Sequence, residues 1–318
     1  MMLLGQGDAY QGKLAQARVL EMHHGLLLCG ARGTGKSRAA KIFAHALLDA
    51  GDGADPGCWD RVEAGQHPDL HELSLVEDQT DIPIDSVRGL QRALSLRPVE
   101  GRARVAIIDP ADRLNAQGQN ALLKILEEPG PATFLILVTS RPESLLETVR
   151  SRVDRLGMLP LSREILLDGL AHQALLEPQI LEWAAATAAG SLGRALRLGA
   201  ERARELDAEI AGFLGSRDRS RDIGVSLLAG VKGRRESEER LDMIMFLLRH
   251  HLRSQLQVAL ANGDTEAYLE MWINPWYLAL EQVLQAEEDL ALQIGAAQVL
   301  ADLFLKLGSI LDQAGARG

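Results

Sequence analysis

Only two cysteines, Cys29 and Cys58, stand among 318 residues. They are too few for a disulfide framework and fit a reducing, cytoplasmic setting. No apolar run is long enough to span a bilayer, and the first residues lack the pattern of a secretory signal, so neither membrane nor export is expected. A basic surplus is missing too. Asp plus Glu number 44 against 34 Lys plus Arg, a net charge of −10, the opposite sign to that of an isolated nucleic-acid binder. Any meeting with DNA would run through a local patch or a larger assembly. Internal repeats and low-complexity tracts are also lacking. The hydrophobic fraction of 47% is ample for packed cores. The length exceeds one usual core and suggests two or three domains.

The most telling string present is Gly30-Ala31-Arg32-Gly33-Thr34-Gly35-Lys36-Ser37, a full G-x-x-x-x-G-K-S phosphate loop. The apolar run 26–29 precedes it as a buried strand, and a helical run over 37–48 follows. Gly30, Gly33 and Gly35 let backbone N–H groups, that of Thr34 included, turn toward a polyphosphate. The helix start adds its positive dipole end. Lys36 is expected to reach the β- and γ-phosphates and the Ser37 hydroxyl to sit on Mg²⁺. A glycine-rich turn with a chance lysine would explain the string alone, but strand, loop and helix agree.

Three regions follow from the patterning. Residues 1–157 alternate strands (26–29, 70–75, 105–108, 134–138) with helices (37–48, 86–94, 116–126), which predicts a parallel α/β sheet. Asp85 is a candidate cap for the second of these helices, and Pro129 stops the third. Residues 158–204 read as a small helical unit, with Ser162 as a cap, Pro178 starting a second helix and Gly190-Ser191 breaking before 192–198. Residues 205–318 are almost wholly helical in pattern. Leu241, Ile244, Leu248, Leu252, Leu256 and Ala259 share one face, Asn274-Pro275 is expected as a turn near Trp272 and Trp276, and a last helix carries Leu300, Leu303, Leu307 and Ile310.

Asp109 ends the run 105–108, where P-loop proteins hold Mg²⁺. Hydrolysis also needs a residue that orients or deprotonates the attacking water. In ring-forming ATPases of this type that residue is a Glu directly after the Asp. Here it is Pro110, which has no proton acceptor, and Asp112 is expected to turn elsewhere. The pairing points to binding without efficient turnover. Thr139, at the end of the next strand, would either touch the γ-phosphate or its water, or cap the following turn. Arg152 could enter a neighbouring subunit's site and steady charge on the transferring phosphoryl. Arg150 and Arg155 could share that role, and an ordinary exposed Arg is the plainer reading. Arg194 could fold back on the nucleotide or lie on a helix surface. Cys58, His67 and His71 are scattered donors without a Cys-x-x-Cys, and no zinc site is expected.

The run 104–115 and the string Asn120-Ala121-Leu122-Leu123-Lys124-Ile125-Leu126-Glu127-Glu128-Pro129 resemble those of bacterial clamp-loader subunits. His67-Pro68-Asp69-Leu70, Ser151-Arg152 and the stretch 190–198 fit the same family in order. Asp109-Pro110-Ala111-Asp112 is similar to the delta-prime branch of DNA polymerase III, whereas the motor branch, tau and gamma, carries Asp-Glu there. The likeness is strong over 26–156 and thins beyond 198. It implies an AAA+ module (1–157), a helical lid (158–204) and a helical collar (205–318) that joins five subunits, with apolar surface like that of Leu300, Leu303 and Leu307 expected to supply the interface. It also implies motor and delta subunits as partners, the sliding clamp and primed DNA reached through the assembly, and Arg152 completing the site of the adjacent motor subunit.

The chain departs from that family in three places. Val153 replaces the Cys of Ser-Arg-Cys, which leaves the Arg role intact. Of the four zinc cysteines common in the family, only Cys58 lies near one. The phosphate loop is intact, so ATP or ADP with Mg²⁺ is an expected ligand even though Pro110 argues against turnover. Two other readings stay open. One is a self-sufficient AAA+ ATPase acting on DNA, a motor or helicase loader, favoured by Lys36 and Ser37 and opposed by Pro110 and the acidic charge. The other is a nucleotide-responsive scaffold outside replication.

Overall fold

The computed structural model describes residues 5–49, 55–75, 79, 81–173, 177–216, 223–231, 234–262, 273–291 and 295–315. The chain divides into two compact units, Met1–Arg197 and Leu198–Gly318.

A five-stranded sheet builds the first unit: β1 (Gly25–Cys29), β2 (Leu70–Ser74), β3 (Arg104–Asp109), β4 (Thr133–Thr139) and β5 (Asp154–Gly157). All neighbours are parallel and the order is β2-β3-β4-β1-β5. Successive side chains point to opposite faces of a strand, so one apolar run feeds two cores. Leu26 and Leu28 pack with α1 (Asp8–Arg18), α2 (Lys36–Leu48) and α3 (Cys58–Glu63) on one face. Leu27, Ala106, Ile108, Leu135 and Leu137 pack with α4 (Ile84–Leu94) and α5 (Ala116–Glu127) on the other. Helices on both faces explain why the inner strands are apolar throughout. After β4 come the short α6 (Glu147–Arg150), then β5, α7 (Arg163–Gln173), α8 (Pro178–Thr187) and α9 (Leu192–Leu198). Ser162 Oγ accepts from Ile165 N–H at 3.4 Å, and Pro178 opens α8.

Three local expectations are corrected. Asp85 is not a cap: α4 starts one residue earlier, behind Pro83, and Asp85 sits in its first turn, 3.3 Å from Arg88. Asn274-Pro275 is not a turn but the start of a helix, where proline's missing N–H costs nothing. Trp272 lies outside the described residues. Leu300, Leu303 and Leu307, expected as apolar surface for assembly, are 0%, 2% and 0% exposed and form the core of the second unit.

That second unit contains α10 (Glu201–Gly215), α11 (Ile223–Ser226), α12 (Arg234–Asn262), α13 (Asn274–Ala291) and α14 (Ala296–Gly315). Ile244, Leu248, Leu252 and Ala259 are buried on α12, while Leu241 and Leu256 are half-buried. Phe213 of α10 meets Phe304 of α14 edge-on, with centroids 4.9 Å apart. Among the described residues, no helix is long and apolar enough to cross a membrane.

One buried group works against the first unit's stability. Tyr10 of α1 is 2% exposed and packs edge-on against Phe43, yet its hydroxyl has no hydrogen-bond partner. Burial pushes its phenol up to about 12, with Arg18 pulling weakly the other way. Tyr10→Phe is therefore expected to stabilise the protein by about 1 kcal/mol. The folded-state pKa lies above the unfolded one, so the protonated form's stability is fully present below about pH 10 and is lost as pH rises toward 12. Urea unfolding at pH 8 and pH 11 should show the native protein losing about 1.4 kcal/mol through this group, a loss the Phe variant escapes.

Candidate nucleotide site

The site forms at the C-terminal ends of β1, β3 and β4, the edge at which parallel α/β sheets bind ligands. Gly33 (φ 76°) and Gly35 (φ 87°) take left-handed backbone that a side chain resists, and Gly35 leads straight into α2. A Cβ on Gly33 would also strike Ser191 Oγ. Gly30 (φ 149°) abuts the Met158 carbonyl. Thr34 is buried and its hydroxyl donates to Ala31 O at 2.8 Å. Lys36 is 8% exposed, and its Nζ donates to the carbonyls of Gly30 (2.8 Å) and Ala31 (2.7 Å). Burial holds its pKa below the usual lysine range, against the pull of Asp109.

Ser37 Oγ, exposed on the first turn of α2, hydrogen-bonds Asp109 Oδ2 at the end of β3. Burial raises the Asp109 pKa, while the Ser37 hydrogen bond and the Lys36 charge oppose the rise. A hydroxyl and a carboxylate oxygen side by side, next to the glycine-rich loop that leads into α2, suit Mg²⁺ carried by a polyphosphate. These residues fit that cofactor by chemistry and placement.

Asp112 sits three residues on and is fully engaged. Thr139 Oγ1 donates to its Oδ1 at 2.7 Å, and Arg141 donates to its Oδ2 through Nη2 (2.9 Å) and Nε (3.3 Å). Burial works to raise its pKa, but the Thr139 and Arg141 hydrogen bonds outweigh that and hold it below the usual carboxylate range. Thr139 also accepts from Arg141 N–H at 2.9 Å, so its hydroxyl both caps the turn and anchors Asp112.

Arg194 lies in α9, 7% exposed, and its backbone N–H donates to Ser191 Oγ at 3.1 Å. Gly193 N–H donates to Gly33 O at 3.4 Å, which puts the start of α9 directly on the phosphate loop. Arg152 lies elsewhere. Its Nη2 is 2.9 Å from Glu127 Oε1 and its Nη1 donates to Thr148 O at 3.0 Å. Arg150 is exposed, and Arg155 Nε donates to Cys29 Sγ at 3.0 Å.

The remaining candidates serve the scaffold. Cys58 is buried and burial pushes its thiol up to about 11. His67 Nδ1 takes the Asp69 N–H at 3.2 Å, and His71 Nε2 meets Arg104 Nη1 at 3.1 Å. Asp69, unread as a site residue, accepts the N–H groups of Val99 (2.7 Å), Glu100 (2.8 Å) and Gly101 (2.8 Å). Gln6 was also missed. It bonds Leu159 both ways, its Nε2 to Leu159 O at 3.1 Å and Leu159 N–H to its Oε1 at 2.9 Å. The pairing spans 153 residues, and no local pattern could announce it.

A phosphate loop after β1, a carboxylate closing β3 and the order β2-β3-β4-β1-β5 define a P-loop AAA+ module followed by helices. Residues 7–162 match the family described as "DNA polymerase III, delta subunit". The chain is 37% identical over 157 residues to the DNA polymerase III subunit delta' of Bacillus subtilis, covering 48% of this chain and 47% of that protein. It is 34% identical over 194 residues to the delta' subunit of Pseudomonas aeruginosa, covering 59% of each. To the subunit tau of Escherichia coli it is 33% identical over 187 residues, 56% of this chain and 29% of that one. Over this segment the chain is similar to the delta-prime subunits of bacterial DNA polymerase III, as its motifs had suggested. The chain spans about half the length of the curated delta-prime relatives it matches.

Proposed function

We propose that this protein is a delta-prime-type subunit of a DNA polymerase III clamp loader. In this reading it assembles in the cytoplasm with tau/gamma-type motor subunits and a delta subunit as a hetero-pentamer. The assembly opens the sliding clamp and places it on primed DNA. Residues 158–204 act as the lid of the nucleotide module and 205–318 as the collar.

Gly30, Gly33, Thr34, Gly35 and Lys36 would hold the phosphates of ATP or ADP, and Ser37 and Asp109 its Mg²⁺, with Thr139 and Arg194 nearby. The metal would supply charge neutralisation between phosphate oxygens. The observation that supports the reading is the lack, among the described residues, of a usable base beside Asp109. Pro110 follows it directly. Among the described residues, the carboxylates whose charge reaches Asp109 are Asp112 and Glu72. Asp112 has both oxygens engaged, and Glu72 pairs with Lys41 at 3.5 Å. Asp112, held by donors and shifted down, is a poor proton acceptor. The subunit would then serve a neighbour's chemistry by offering Arg152 in trans.

An active ATPase is the second reading, favoured by the Ser37–Asp109 pair and the intact Lys36. Turnover by the purified chain separates the two. The first expects none, the second a steady rate.

A further inference from the structure

We infer that Glu127 is a positioning residue for Arg152, holding its guanidinium in one place at the surface so that it docks on a neighbouring subunit already ordered. The inference rests on the trans role proposed above. The Arg152 backbone is fixed first. Its N–H donates to Val149 O at 3.1 Å, and a Cβ on Gly25 at the start of β1 would come within 3.3 Å of its carbonyl. His24 Nε2 meets Leu126 O at 2.8 Å, tying the last turn of α5 to the same corner. The side chain is then held from two directions, by Glu127 Oε1 at 2.9 Å on Nη2 and by Thr148 O at 3.0 Å on Nη1.

These contacts use part of the five N–H donors of a guanidinium and leave others for a partner. The two side chains remain 39% and 50% exposed, so the pair is open to an incoming anion and exchangeable. A free arginine must give up its rotamer freedom on docking, whereas a tethered one has less to lose. Glu127 also sits in the last turn of α5, whose carbonyl end favours a cation beside it.

The test uses the full chain assembled with the gamma/tau-type and delta subunits of its own organism, with ATP hydrolysis as the readout. Glu127→Ala should lower kcat by about 3- to 10-fold, the scale of ordering one long side chain, with KM unchanged. Glu127→Gln, which keeps an acceptor of the same length, should recover part of the loss. The double variant Glu127→Ala/Arg152→Ala should be no slower than Arg152→Ala alone, because Glu127 acts only through Arg152. Sedimentation should show normal assembly for every variant. If Arg152→Ala slows hydrolysis while Glu127→Ala matches or exceeds the native rate, the positioning role is wrong and the trans role stands. If Arg152→Ala changes nothing, both are wrong. Additive losses in the double variant would assign Glu127 a general structural part and overturn the inference.

Discussion

If Arg152 acts in trans as proposed, Arg152→Ala in the reconstituted loader is expected to lower the neighbour's ATP hydrolysis by about 10³-fold, the lower end of what an arginine finger contributes. The effect should fall on kcat, because in the proposed role the guanidinium would meet charge that develops only in the transition state. Arg152→Lys is expected to recover little, since an ammonium cannot match the planar fork of donors. The chain itself should fold normally. Arg152 and Glu127 are both more than a third exposed, and a surface pair of this kind is worth about 0–1 kcal/mol. Single-turnover hydrolysis in the reconstituted complex, compared with far-UV melting of the isolated variant, separates loss of chemistry from loss of fold.

Asp69→Ala is expected to be the most damaging single change to the first unit. The Asp69 carboxylate is 0% exposed, takes three backbone N–H groups from 99–101 and lies 3.8 Å from Arg104. Arg104 in turn donates to Arg97 O at 2.9 Å, so one carboxylate organises the whole approach to β3. Removing it strands three donors and a buried cation, at a cost on the order of 3–5 kcal/mol. Thermal melting should drop by roughly 6–20 °C for a unit of this size. Burial raises the Asp69 pKa, but the N–H groups of Gly101, Glu100 and Val99 overcome it and hold the carboxyl below its usual range. A depressed folded-state pKa gives stability that is present above the unfolded value of about 4 and lost as pH falls below it. Acid titration should therefore find the native protein losing stability below about pH 4, and Asp69→Asn losing less.

The sheet was legible because β1, β3 and β4 are covered on both faces and read as unbroken apolar runs. β5 was not, since Leu156 is its single buried residue at an edge of the sheet. The phosphate loop and the Asp109 carboxylate are strings of adjacent residues and announce themselves. The partners of Arg152 do not, because Glu127 lies in a different element and only tertiary packing brings the two together. Asp112 shows the same limit. Its place three residues after Asp109 was visible, but its engagement by Thr139 and Arg141 was not. The apolar stripe Leu300, Leu303, Leu307 was read correctly as a helix face, yet periodicity does not say whether that face meets its own unit or a partner. Here it faces inward.

Whether a phosphate cradle lacking a proton acceptor behind Asp109 turns its nucleotide over is decided most directly by phosphate release from the purified chain, with Lys36→Ala as control. Titration with a fluorescent ATP analogue should detect binding to the native protein and none to the control, while phosphate release from the two is indistinguishable. A steady release by the native chain alone that Lys36→Ala abolishes would contradict it, and would make this protein a motor in its own right.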